Sequence, residues 1–76
     1  MEPELLEVLR EAVERRLKRE ELERSIGRAL RRRGMSFQAY IRMISELREI
    51  ARRNRTTLDD AAAKLLGEQK DQGEQH

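Results

Sequence analysis

Few residues in this chain could carry reaction chemistry. His76 is the single histidine and the last residue; a terminal side chain is held by nothing local, so neither a triad nor a metal site can be built around it. Ser25, Ser36 and Ser45 become nucleophiles only beside a base, and no histidine falls near them. Ser36 reads instead as a helix N-cap. Asp59 and Asp60 form an acidic pair that the first turn of a helix explains without a metal, because a helix N-terminus favours negative charge. The absence of cysteine excludes thiol catalysis, a disulfide framework and a Cys-based zinc site. The four glycines are scattered, so there is no phosphate-cradling loop. These residues predict a protein that is not an enzyme and has no metal, cofactor or small-molecule substrate.

What chemistry remains lies in the arginines. The chain has 17 basic and 15 acidic residues for a net charge of +2. Three of the 17 are Lys18, Lys64 and Lys70; the other 14 are Arg. Their distribution is uneven. Residues 1–14 carry −4, residues 15–55 carry +9 and residues 56–76 carry −3. Arginine presents a planar fork of donors suited to phosphate. Glu11–Arg15, Glu14–Lys18, Glu20–Arg24 and Glu49–Arg53 are i,i+4 pairs in the favourable order. Arg28, Arg31, Arg32 and Arg33 are less well supplied with acidic neighbours, and Arg52 and Arg55 form a second cluster. The plainer reading of these residues is a solvated, ion-paired face, with Arg31–Arg33 also favoured by the negative end of a helix. The sharper reading is a nucleic-acid-binding surface for duplex DNA backbone. Phe37 and Tyr40 fall on an apolar stripe and read as core, not as platforms for base stacking.

These side chains must be positioned by helices. Leu, Glu, Arg and Ala dominate residues 4–33 and all favour helix. Pro3 suits a first turn, and Gly34 suits the residue just past a C-terminus. The pattern predicts one long N-terminal helix over 3–33. Its apolar stripe slips, from Leu5, Leu9, Ala12, Val13 and Leu17 to Leu22, Ile26, Ala29 and Leu30, a rotation on the order of 100° at 3.6 residues per turn. No Gly, Pro or cap marks a break at the slip, Lys18–Glu21. A central helix over 37–53 carries Phe37, Tyr40, Ile41, Ile44, Leu47 and Ala51 at 3–4 spacing. A short third helix over 58–66 opens at Thr57 with a capping-box-like start and closes at Gly67. The residues predict an all-α protein with a single small helical domain over 1–67. They predict a disordered polar tail over 68–76, which lacks apolar side chains.

The chain has 76 residues, and Leu, Ile, Val and Phe account for 17 of them. That is little core for a chain without disulfides or metal, so burial and chain entropy nearly balance. Oligomerisation is the remaining stabiliser. A homodimer is expected, with Leu5, Leu9, Val13 and Leu17 in the interface. No apolar run approaches the roughly 18 residues of a membrane span, and the acidic N-terminus is unlike a signal peptide. The expectation is a cytoplasmic protein that does not engage a membrane.

Residues 19–45, about a third of the chain, hold Glu21-Leu22, Ile26 and Ala29-Leu30. Arg33-Gly34-Met35-Ser36-Phe37-Gln38-Ala39-Tyr40-Ile41-Arg42 follow. This stretch resembles the helix–turn–helix half of ribbon-helix-helix DNA-binding proteins of the plasmid-mobilisation and antitoxin type. The resemblance implies an obligate dimer acting on duplex DNA. The ribbon does not carry over. It would fall near Val13–Lys18 and turn Glu14, Arg16 and Lys18 inward, and burying three charges is prohibitive.

Together these features predict a small regulator that binds DNA through Arg28, Arg31, Arg32, Arg33, Arg52 and Arg55. The alternative is a protein–protein adaptor or inhibitor, phage- or antitoxin-like, that docks a helix face onto a larger protein partner. The surface left over after the core is satisfied separates the two. A continuous Arg face favours DNA; an exposed apolar groove favours the adaptor.

Overall fold

Why one helix becomes two is a matter of where its stripes can point. In a straight helix over 3–33 the two apolar stripes would face directions about 100° apart, and one core could not bury both. The chain breaks instead. In the computed structural model, which describes the backbone of residues 1–74 and the side chains of residues 1–68, α1 spans Pro3–Glu14 and α2 spans Leu22–Arg32. The single helix over 3–33 is thereby corrected. Residues 15–21 form the connection, with Arg19 at φ 66°, in the left-handed region that a non-glycine side chain seldom adopts. Glu20 holds this loop together. Its carboxylate accepts the Leu17 N–H at 3.0 Å, and its own N–H donates to the Leu17 carbonyl at 3.0 Å. Its carbonyl accepts Arg16 Nε at 2.6 Å.

Gly34 ends α2 as its sequence position foretells. It adopts φ 66°; its N–H donates to the Arg31 carbonyl at 3.1 Å and the Met35 N–H to the Leu30 carbonyl at 3.0 Å, the Schellman pair of bonds. Ser36 then occupies the N-cap position of α3 (Phe37–Asn54) without a side-chain capping hydrogen bond. At the far end of α3 the same closing motif recurs without a glycine. Arg55 sits at φ 54°, with the Thr56 N–H donating to the Ala51 carbonyl at 2.9 Å.

Thr57 caps α4 (Leu58–Glu74), its Oγ1 accepting the Asp60 N–H at 3.1 Å. The helix does not close at Gly67 but continues to Glu74. The tail expected to be disordered over 68–76 is thus helical as far as that residue, and residues 75–76 lie outside the described residues. No strand occurs among the described residues.

Consecutive helices pack as neighbours, and α4 returns against α1. The core runs down the middle: Leu5, Val8, Leu9 and Ala12 from α1; Leu22, Ile26, Ala29 and Leu30 from α2; Ala39, Met43, Ile44, Leu47 and Ala51 from α3; Ala61 and Ala62 from α4. Small residues on α4 and at Ala12, Ala29 and Ala39 let short helices approach closely around the larger Leu, Ile and Met side chains. Buried Ser25 fits this core because it has a partner. Its Oγ donates to the Ala12 carbonyl at 2.6 Å, one of the C-terminal carbonyls that α1 leaves without an intrahelical donor. No helix among the described residues is long and apolar enough to cross a membrane.

Candidate functional site

Four of the six arginines nominated for DNA contact face carboxylates of their own chain. Arg28 Nη2 donates to Glu20 Oε1 at 2.9 Å and to the Arg15 carbonyl at 3.0 Å. Arg32 Nη2 reaches Glu11 Oε2 at 2.9 Å, and Arg33 Nη2 reaches Glu11 Oε1 at 3.4 Å. Arg52 Nη2 lies 2.6 Å from Glu49 Oε2. Only Arg31 and Arg55 of the six have side chains with no hydrogen bond or ion pair among the described residues. The i,i+4 pattern alone would have assigned Glu11 to Arg15 and Glu20 to Arg24. Folding α1 onto α2 offers both carboxylates nearer and better-formed partners. Glu49–Arg53 is the one expected pair that forms, at 3.8 Å.

Glu11 is the electrostatic clasp between α1 and α2. The hydrogen bond from Arg32 holds its carboxyl below the ordinary carboxylate value; partial desolvation opposes this, and the hydrogen bond from Arg33 and the two positive charges add to it. Arg16 makes a second long-range tie, from the α1–α2 loop to Asp59 Oδ1 on α4 at 2.7 Å. Arg16, Arg28, Arg32 and Arg33 of the central positive block thus tie α1, its loop, α2 and α4 together, although all but Arg28 of them are also exposed.

The four residues expected at a dimer interface divide. Leu5 and Leu9 are buried in the chain's own core, whereas Val13 and Leu17 are exposed, Leu17 at 59%. The helix break causes this. It swings Leu5, Val8 and Leu9 toward α2 and α4 and leaves the last turn of α1 and its loop outside.

Phe37 and Ile41, read from the sequence as core, are also exposed, Phe37 at 70% and Ile41 at 43%. The buried line of α3 is Ala39, Met43, Ile44, Leu47 and Ala51 instead. The apolar arc of α3 is wider than α2 and α4 can cover, and the small Ala39 takes the tightest position. Phe37 stacks on half-buried Tyr40, with ring centroids 5.7 Å apart and planes 15° from parallel. Local pattern could have shown it. Met35 and Tyr40 stand at the two positions of a hydrophobic staple around the Ser36 cap, which leaves Phe37, the first helical residue, on the solvent side of Tyr40.

This pair stands at one side of an open groove of about 800 Å³ between α2 and the start of α3. Its floor and walls include Gly27, Leu30 and Met35, and its rim carries Glu21 and Glu23 near the start of α2 and Arg31 near the end. Among the described residues the side chains of Glu21, Glu23, Arg24 and Arg31 have no hydrogen-bond or ion-pair partner. The groove thus combines the apolar Leu30, Met35, Phe37 and Tyr40 with six charged side chains, Glu20, Glu21, Glu23, Arg24, Arg28 and Arg31, whose charges cancel.

Among the described residues no cluster of three or more His, Cys, Asp or Glu side chains is placed to hold a metal ion, and His76 lies outside them. Comparison with protein-family models, with curated proteins and with solved structures returned no match.

Proposed function

We propose that this chain is a small non-enzymatic protein-interaction module whose working surface is the α2–α3 groove. The observation that carries the reading is the exposed Phe37, 70% accessible and held flat against Tyr40 at the edge of that groove. An exposed aromatic side chain fixed at the edge of a cleft offers the kind of anchor around which helix-in-groove contacts form. A partner surface that offers an apolar side chain to Phe37 and Tyr40 and charges of both signs to the rest of the lining matches this site.

The competing reading, contact with duplex DNA, rests on the arginines. It is weakened because Arg28, Arg32, Arg33 and Arg52 already face carboxylates, which offset part of the charge that a phosphate would meet. Exposed pairs of this kind contribute only about 0–1 kcal/mol, so the comparison belongs to experiment. The test is affinity capture from the native host after nuclease treatment. Wild type is compared with Phe37→Asp and with Arg31, Arg32 and Arg33 all changed to Glu. The groove reading expects protein, including untagged copies of this chain, to be retained by wild type and lost with Phe37→Asp. Capture that ignores Phe37→Asp overturns it, as does a salt-sensitive duplex DNA shift that the triple Arg change alone abolishes.

A further inference from the structure

We infer that the occupant of the groove is a second copy of this chain, joined through antiparallel contact of α2 with α2 about a two-fold axis near Gly27. The inference rests on the groove reading above and names its partner. Glu23, Gly27 and Arg31 are spaced i, i+4, i+8, so they share one face of α2, and all three line the groove. The glycine lies midway between two opposite charges. An isologous two-fold contact brings residue i of one copy to residue j of the other and j to i. With the axis at Gly27, Glu23 of each copy meets Arg31 of the other. The same helix laid down parallel would set Glu23 against Glu23 and Arg31 against Arg31. The order of Glu23 and Arg31 therefore fits a second copy laid antiparallel and not one laid parallel. Neither side chain has a partner within its own chain among the described residues.

Gly27 supplies a second, independent sign. A glycine inside a helix costs about 1 kcal/mol relative to alanine, so its presence at the centre of α2 needs a reason. The chain's own packing gives none. A methyl group there would meet only Tyr40 Cε1, at 3.9 Å, an ordinary contact. The bare backbone serves something that approaches from outside, and two glycines facing across the axis allow close approach of the helices. Phe37 and Met35 of each copy would then lie over the other's apolar wall. Size points the same way, since a domain this small without disulfide or metal gains from burying a face against another copy. Met35, Phe37 and Tyr40 supply the apolar contact, since the apolar side chains of α2 are buried in its own core, and the two charge pairs supply direction and register.

Sedimentation of the full untagged chain over a range from about 1 μM to 1 mM tests this directly. Wild type is expected to show a reversible monomer–dimer equilibrium. Glu23→Arg alone and Arg31→Glu alone should each weaken it about tenfold or more. The double change should restore it, and so should an equimolar mixture of the two single variants, which can pair only with each other. Gly27→Ala should raise the thermal midpoint of the monomer while weakening the dimer, a split that a purely structural role would not give. A wild type that stays monomeric at the top concentration overturns the inference, as does a dimer indifferent to the charge exchanges. If wild type is monomeric yet Phe37→Asp still abolishes capture of a different protein, the second copy is wrong and the groove reading stands. If neither self-association nor such capture is found, both fail.

Discussion

The inward face of α2 and its groove face lie on the same eleven-residue helix and differ in how completely their side chains are engaged. Inward, Leu22, Ile26 and Ala29 are buried, and Ser25 gives its one donor to the Ala12 carbonyl. On the C-terminal turn, Arg32 and its neighbour Arg33 hold Glu11. In the groove, Glu23 and Arg31 have no partner among the described residues, Gly27 has room for a methyl group and Phe37 beyond it is exposed. The inward face holds the fold closed, and its changes should register as lost stability. The groove face contributes little to stability, and its changes should register as lost association.

The sharpest way to break that contrast is a pair of truncations read by chemical denaturation of dilute protein. Ile26→Ala removes a fully buried side chain and should lower stability by about 2–5 kcal/mol. Phe37→Ala should stay within about 0.5 kcal/mol of wild type. Comparable losses would mean that the aromatic pair belongs to the core.

A smaller effect should follow Ser25→Ala. It leaves the buried Ala12 carbonyl without its 2.6 Å donor, and the expected loss is about 1–3 kcal/mol. An unchanged denaturation midpoint would show that another donor closes the end of α1.

The smallest effect concerns Glu11. Its pKa is lower in the folded chain than its ordinary value, so the unfolded state binds the proton more readily. Its contribution to stability is therefore complete above the ordinary carboxylate value, and it declines as pH falls through the lowered one. Glu11→Gln should flatten the acid limb of stability against pH. At neutral pH it should leave any self-association unchanged, because Glu11, Arg32 and Arg33 do not line the groove. An acid limb of unaltered slope would remove Glu11 from the α1–α2 contact.

Much of the architecture was readable from local rules. Gly34 marks the end of α2 because only a residue tolerant of positive φ closes a Schellman motif cheaply. Thr57 marks the start of α4 through its hydroxyl, and the central helix starts at Phe37 and ends one residue beyond the expected 53. The break at residues 15–21 was hidden because its left-handed residue is Arg19, not a glycine, and its turn is organised by the Glu20 side chain. The slip in the apolar stripe was the correct warning; the lack of a conventional stop signal pointed the other way. The candidate site fared less well. Opposite-charge spacing along one helix could not foresee that Glu11 would be claimed by Arg32 from another. Nor could apolar spacing alone say which edge of α3 would be left outside.

The amino-acid sequence by itself determined an all-helical chain and the positions of most helix ends, because propensity, capping and periodicity act over a few neighbouring residues. Only the tertiary structure decided which arginines are neutralised, which end of the α1 stripe is buried and where Phe37 lies. Those outcomes depend on helices competing for one small core and for a limited number of carboxylates. That competition is settled only when elements distant in the chain come into contact.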